Sequence, residues 1–294
     1  MPTDDVADRG PALTVGVVTD SAASLPADVA AGHKVTVVAM GLTLGGSSVH
    51  DGDLELEEVV ARAGEGLTTS GPAPGEFAEA IAAADTGDGV VVLTISEKMS
   101  GTNGSARLAA KLEEDRVIRV VDTGTAAGAE GLVVLAAADR AATGANIDDV
   151  VSAAEVAAEK VRLVATLPTL EHLARGGRVP GAAAWAGHRL DLNPLFEFKG
   201  GHVRPLRPVR GQRAAQERIV ALFAHRLQPE AALHVAALHA LDPGGAEHVL
   251  DLVRSHVEPA SAFVGSFSPV MVAHTGPGLV GLAWWWEERS GDGR

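Results

Sequence analysis

The apolar positions of this chain fall into two kinds of run. One kind is short and continuous: residues 13–20 (LTVGVVTD), 34–40 (KVTVVAM), 90–95 (VVVLTI), 116–122 (RVIRVVD) and 161–167 (VRLVATL). Runs of this length without strict alternation fit strands buried on both faces of a parallel sheet. The other kind is longer, with polar breaks at helical spacing and capping residues at the ends. It predicts helices over 54–63, 75–84, about 102–112 and 126–142, and a shorter one in SAASLPADVAAG, which has Ser24 as a cap and a glycine stop. Strands alternating with helices make an α/β fold.

The pattern changes near Val161. A strand over 161–167 is followed by a helix in 168–177 closed by glycines. Residues 194–210 form a hairpin with Gly200-Gly201 at its tip, and then come a helix at 212–227, a strand at 231–239 and a helix at 244–256. Residues 263–286 carry no Asp, Glu, Lys or Arg and could span a bilayer by length. A histidine and a Gly-Pro-Gly break in the middle point instead to a strand, a turn and a buried helix. No internal repeat or low-complexity linker is visible. The expected architecture is two α/β domains, residues 1–160 and 161–294. The first is three-layered with a largely parallel sheet, the second has a mixed sheet.

Composition narrows the function. A net charge of -14 argues against a nucleic-acid partner. No cysteine is present, which removes thiol and disulfide chemistry. The start, MPTDDVADRG, lacks a signal peptide's basic and apolar regions, so a cytoplasmic location is expected.

Small polar residues gather where predicted strands end: Thr19-Asp20-Ser21, Ser96 through Thr102, Asp122-Thr123-Gly124 and Thr166, with a further loop at Thr68-Thr69-Ser70-Gly71. In a parallel α/β sheet, ligands bind beyond those carboxyl ends. Hydroxyls and glycine amides at helix starts suit an anion, although each loop alone is also an ordinary N-cap. The single Asp-Thr-Gly (122–124) is not an aspartic protease site, because that chemistry needs two carboxylates sharing a proton. His234 and His239 lack the spacing of helical metal ligands, and no Walker or G-x-G-x-x-G loop occurs. Arginines cluster at 175–178 and 204–213, where guanidinium groups can meet a carboxylate or phosphate.

Taken in order, VVTDSAASLP, TSGPAPGEF, ISEKMSGTNGSA, LEHLARGGRV, NPLFEFKGGHVRPLRPVR and HTGPG resemble the DegV family over nearly the whole chain. The resemblance implies a long-chain fatty acid bound in a tunnel between the two domains. It implies no cofactor, metal or catalytic residue of the chain's own. The carboxylate would be held by Thr69, Ser100 and His274, with Ser21, Ser70, Ser96, Gly101, Thr102 and Gly276 in neighbouring loops. The family further implies a separate ATP-dependent fatty acid kinase subunit as partner in bacterial phospholipid metabolism, with Arg178 and Arg210 facing it. No stable membrane insertion is implied, only transient membrane contact. Gly71, Glu97-Lys98 and Thr275 depart from the family's usual residues and alter the surface more than the head-group set. The alternative from the residues is a stand-alone hydrolase or acyl transferase with Ser100 as nucleophile and His274 as base; a lipid sensor without a kinase is a third reading.

Overall fold

The structure is a computed structural model that describes residues 14–177 and 192–288. Four parallel strands, β1 (Gly16–Asp20), β2 (Val35–Val38), β6 (Val90–Thr94) and β7 (Ile118–Asp122), form one sheet in the order β2-β1-β6-β7. Successive side chains point to opposite faces. Val18, Val90 and Val92 pack with Phe77 and Ile81 of α3 (Pro74–Ala84) and Ala106 of α4 (Thr102–Leu112). Val17, Val91, Leu93 and Val121 pack the other way, with α5 (Ala127–Ala142) and α6 (Ile147–Lys160).

Beyond α6 the chain enters a six-stranded mixed sheet at β8 (Arg162–Thr166). Its other strands are β9 (Leu192–Lys199), β10 (His202–Arg210), β11 (Ala232–His239), β12 (Ser261–Ser266) and β13 (Val280–Glu287), in the order β10-β9-β8-β13-β11-β12. Only β11 and β12 run parallel; the other pairs are antiparallel. One face, with Leu163, Ala165, Phe196, Ala236 and Trp285, joins the core around α5 and α6. The opposite face, with Val164, Leu195, Val235, Trp284 and Trp286, packs on α8 (Gln212–Ala224) and α9 (Pro243–Arg254). The molecule is therefore a stack of helix, parallel sheet, helix, mixed sheet and helix layers.

Helix α5 can lie between the sheets because it is small on both sides. A Cβ at Gly128 would meet Leu238 Cδ2 at 2.5 Å, and one at Gly131 would meet the carbonyl oxygen of Ala23 at 2.9 Å. A third, small antiparallel sheet is built from β3 (Gly41–Leu44), β4 (Ser47–His50) and β5 (Thr68–Ser70). Two short helices, α7 (Glu171–Gly176) and α10 (Pro269–Thr275), pack together, and α10 also rests on α2 (Leu56–Ala61), β3 and β5.

The apolar tail differs from expectation. The stretch before the glycines holds strand β12 and then α10, and the run after them is strand β13, not a buried helix. An all-apolar run has no periodicity to separate the two states. As a central strand, β13 sends Trp284 and Trp286 into one core and Trp285 into the other. Helix α6 was also missing from the expected elements, although Asn146 caps it and Ile147, Val150, Val151, Ala154, Ala157 and Ala158 form a helical apolar stripe. Among the described residues, no helix is long and apolar enough to cross a membrane.

Candidate functional site

The carboxyl ends of β2 and β6, strand β5, the first turn of α5 and helix α10 converge on the inner face of the mixed sheet. They enclose a cavity of about 480 Å³. Its wall is mostly apolar: Met40, Ile95 and Ala127 come from the first half of the chain, and Leu163, Phe196 and Leu279 from the second. Thr69, Ser70, Ser100, Gly101 and His274 all line it as well. Thus the three residues expected to hold a head group line one cavity, although they are spread across the sequence.

Each is held by its own element. Thr69 lies on β5, paired to Leu42. Its Oγ1 is 2.8 Å from His274 Nε2. Ser100 precedes α4; its Oγ is 2.8 Å from Thr102 Oγ1 and accepts the Thr102 amide at 3.3 Å. Gly71 lets the two loops close up, since a Cβ there would sit 2.6 Å from Thr102 Oγ1. His274 is set by the placement of α10. Ser268 caps that helix by accepting the Met271 amide at 3.4 Å, and Asp51 Oδ1 accepts the Val270 amide at 3.1 Å.

Four other expected loop residues do not line the cavity but support it. Ser21 Oγ donates to Asp51 Oδ2 at 2.6 Å and accepts the Met40 amide at 3.1 Å, which ties the end of β1 to α10. Thr102 is buried beneath Ser100. Ser96 is buried beside the hairpin tip, where a Cβ on Gly201 would lie 2.7 Å from its Oγ. Gly276 has φ +74, and a Cβ there would strike His172 Cδ2 at 2.4 Å. Arg210 is exposed at the end of β10, opposite Leu192 and away from the cavity wall. Arg178 lies outside the described residues.

Sequence pattern assigned no role to several contributors, even where it marked the residue. The β9–β10 tip docks on the parallel sheet: Gly201 N donates to Gly124 O at 2.6 Å, and Lys98 Nζ donates to Gly200 O at 3.0 Å. On the far side of Thr69 and His274 lies a second recess of about 380 Å³, lined by Thr68, His172 and Arg175. Burial, and then the charge of Arg175, push the His172 imidazole below its usual range. Behind the cavity, Asp20 accepts the Ile95 amide at 2.9 Å and the Ala22 amide at 3.0 Å. Its carboxyl is pushed up to about 6, chiefly by burial. Glu130, also fully buried, is pushed well above the usual carboxylate range by burial and then by the charge of Asp20. Asp51 is also raised by burial. An acidic residue in an Ala-rich helix gives no sequence signal for such a pair. Among the described residues, no group of three or more His, Cys, Asp or Glu could hold a metal ion.

Fold and site define the class: an α/β protein of two stacked sheets, with an apolar internal cavity capped by hydroxyls and an imidazole. More particularly, the chain belongs to the DegV family, whose profile, described as "uncharacterised protein, DegV family", matches residues 14–287. It is 37% identical over 274 residues to a DegV domain-containing protein of Streptomyces coelicolor, spanning 91% of this chain and 97% of the relative. It is 34% identical over 278 residues to one from Mycobacterium tuberculosis, spanning 92% and 96%. Among solved structures it resembles a Thermus thermophilus DegV family protein described by its fatty acid binding, at 31% identity and TM-score 0.86, over 93% of this chain and 100% of that one. A Thermotoga maritima protein described as a DegV lipid binding protein matches at 26% identity and TM-score 0.84, over 95% and 100%.

Proposed function

We propose that this protein binds a long-chain fatty acid in the cavity between its two sheets, as a lipid-binding protein and not as an enzyme at that site. The carrying observation is the polarity of the cavity. Thr69 and His274 form a hydrogen-bonding pair on its wall, Ser100 lines the same cavity, and most of the remaining lining is aliphatic or aromatic. A chain of about 16 carbons buries roughly 14 methylenes, worth about 11 kcal/mol before the costs of association. A buried carboxylate opposes this unless donors meet it. The tail then supplies affinity, and the hydroxyls and imidazole supply orientation. The relative from Thermus thermophilus, described by its fatty acid binding, supports the ligand class.

In this reading residues 1–160 and 161–294 act as two units with the tunnel between them. The recess with His172 and Arg175 adjoins the head group, which suits presentation of the carboxylate to a separate ATP-dependent kinase subunit in the cytoplasm. Arg178 and Arg210 are proposed to face that partner. The hydrolase alternative has less support: His274 Nε2 is within hydrogen-bond distance of Thr69, and the Ser100 hydroxyl bonds within its own loop. The test is native mass spectrometry of the purified protein, with lipid extraction and titration of palmitate and oleate. Stoichiometric fatty acid, or a thermal shift on adding it, is expected. Finding neither would overturn the reading.

A further inference from the structure

A second cavity, of about 510 Å³, opens further along α5, beside Leu132, Leu135, Ala136 and Asp139. It shares no lining residue with the first. Strand register brings three chemically active side chains to its wall. His234 on β11 sits opposite Ser261 on β12 and Trp285 on β13, and Glu287 follows two residues along the same face. Ser261 Oγ is 2.8 Å from His234 Nδ1. His234 Nε2 is 3.2 Å from Glu287 Oε2. The imidazole stacks on Trp285, with centroids 5.0 Å apart and planes 19° from parallel.

In the neutral imidazole, the carboxylate assigns the tautomer. An ionised carboxylate only accepts, so Nε2 carries the imidazole proton and donates to Glu287. Nδ1 is then left as the acceptor for the Ser261 hydroxyl. Such a serine, imidazole and carboxylate relay activates a nucleophile. An amide is also available nearby. β12 is the last strand of its sheet, and Ala260 N donates inward to Leu233 O at 2.8 Å. Successive strand amides point to opposite sides, so the Ser261 amide faces the open edge, beside its own hydroxyl. A nucleophile's own amide is one usual donor to a developing oxyanion.

We propose that Ser261, His234 and Glu287 form a nucleophilic serine site that accepts acyl groups from small esters. Ser261 and His234 are the catalytic residues, and Glu287 positions the imidazole. Ser261 Oγ bonds to the acyl carbon as its proton passes to His234 Nδ1. The ester C–O bond then breaks, and the departing alkoxide takes that proton. Water, deprotonated by the same nitrogen, bonds to the acyl carbon; the acyl–Oγ bond breaks, and Nδ1 returns the proton to Ser261 Oγ as the acid leaves. The apolar wall of Leu132, Leu135 and Trp285 suits a short acyl chain. The site stands independently of fatty acid binding in the first cavity.

The test is covalent labelling of the full-length protein with a fluorophosphonate. The hydroxyl displaces fluoride, and peptide mass spectrometry locates the adduct. A Ser261 adduct is expected, lost in Ser261→Ala and slowed at least about 100-fold in His234→Ala and His234→Asn. Glu287→Gln, at an exposed position, should lower the maximal labelling rate without weakening probe affinity, and Glu287→Asp should restore part of it. Thermal melts establish that each variant is folded. No Ser261 adduct on the folded parent, or an adduct forming at the parent's rate in both His234 variants, would overturn the proposal.

Discussion

Thr69 and His274 stand 205 positions apart in the chain, yet Thr69 Oγ1 and His274 Nε2 are 2.8 Å apart at the cavity wall. A strand of the small sheet and a two-turn helix near the end of the chain thus supply one polar cluster. Bound carboxylate would take hydrogen bonds from this pair and from Ser100. Removing one hydrogen bond to a charged group costs about 1.5–3 kcal/mol. Thr69→Val, Ser100→Ala and His274→Ala should each weaken fatty acid binding by that amount. A fatty alcohol of equal length should be affected less. Equal losses for acid and alcohol, in parallel titrations, would remove the head-group assignment.

The hairpin tip is expected to be intolerant of a side chain. Gly201 has φ +76, and a Cβ would lie 2.7 Å from both Ser96 Oγ and Lys98 Cδ. Left-handed backbone costs an L-residue about 1–2 kcal/mol, and a forced contact adds about 1–3 kcal/mol. Gly201→Ala should therefore lower stability in urea titration by at least about 1 kcal/mol. An unchanged midpoint would mean the tip does not dock in solution.

Two helical glycines should respond in opposite directions. Alanine is favoured over glycine inside a helix by about 1 kcal/mol. At Gly104 in α4 a Cβ meets nothing within 4 Å, so Gly104→Ala should stabilise. At Gly128 a Cβ would meet Leu238 Cδ2 at 2.5 Å and Ala236 Cβ at 2.8 Å. Overpacking between α5 and β11 should outweigh propensity there, and Gly128→Ala should destabilise by about 1–3 kcal/mol. Chemical denaturation of the pair measures both signs, and stabilisation by Gly128→Ala would contradict the packing of α5 between the sheets.

The buried acids predict a pH dependence. Asp20 rises from 3.8 to about 6, and Glu130 rises well above 4.5. Both bind a proton more tightly folded than unfolded. Their contribution to stability is therefore complete below about pH 4; it is lost as pH rises through about 6 for Asp20, and as pH rises through the raised range of Glu130. Glu130→Gln keeps the shape and removes the more strongly raised group. Thermal melts from about pH 4 to 8 should fall less steeply with pH for the variant than for the parent. A fall as steep in the variant as in the parent would show that Glu130 is not the proton holder.

The sequence by itself determined the strands that are apolar on both faces, the helices with capped ends, and the family. Local pattern carries that information, because a strand or helix is specified by neighbours within one element. Through the family resemblance it also pointed to Thr69, Ser100 and His274, which the fold places on β5, before α4 and on α10. It did not show the small antiparallel sheet, whose strands are three or four residues long, although the Gly45-Gly46 tip between β3 and β4 was a usable hairpin signal. Nor could it choose between strand and helix for the run of three tryptophans, since uniform hydrophobicity carries no period. Only tertiary structure decided what each polar residue does. Ser21 serves α10 through Asp51, and Glu130 meets Asp20 rather than water. His234 finds Ser261 and Glu287 through the register of three strands. These relationships join residues far apart in sequence, and they exist only once the layers pack.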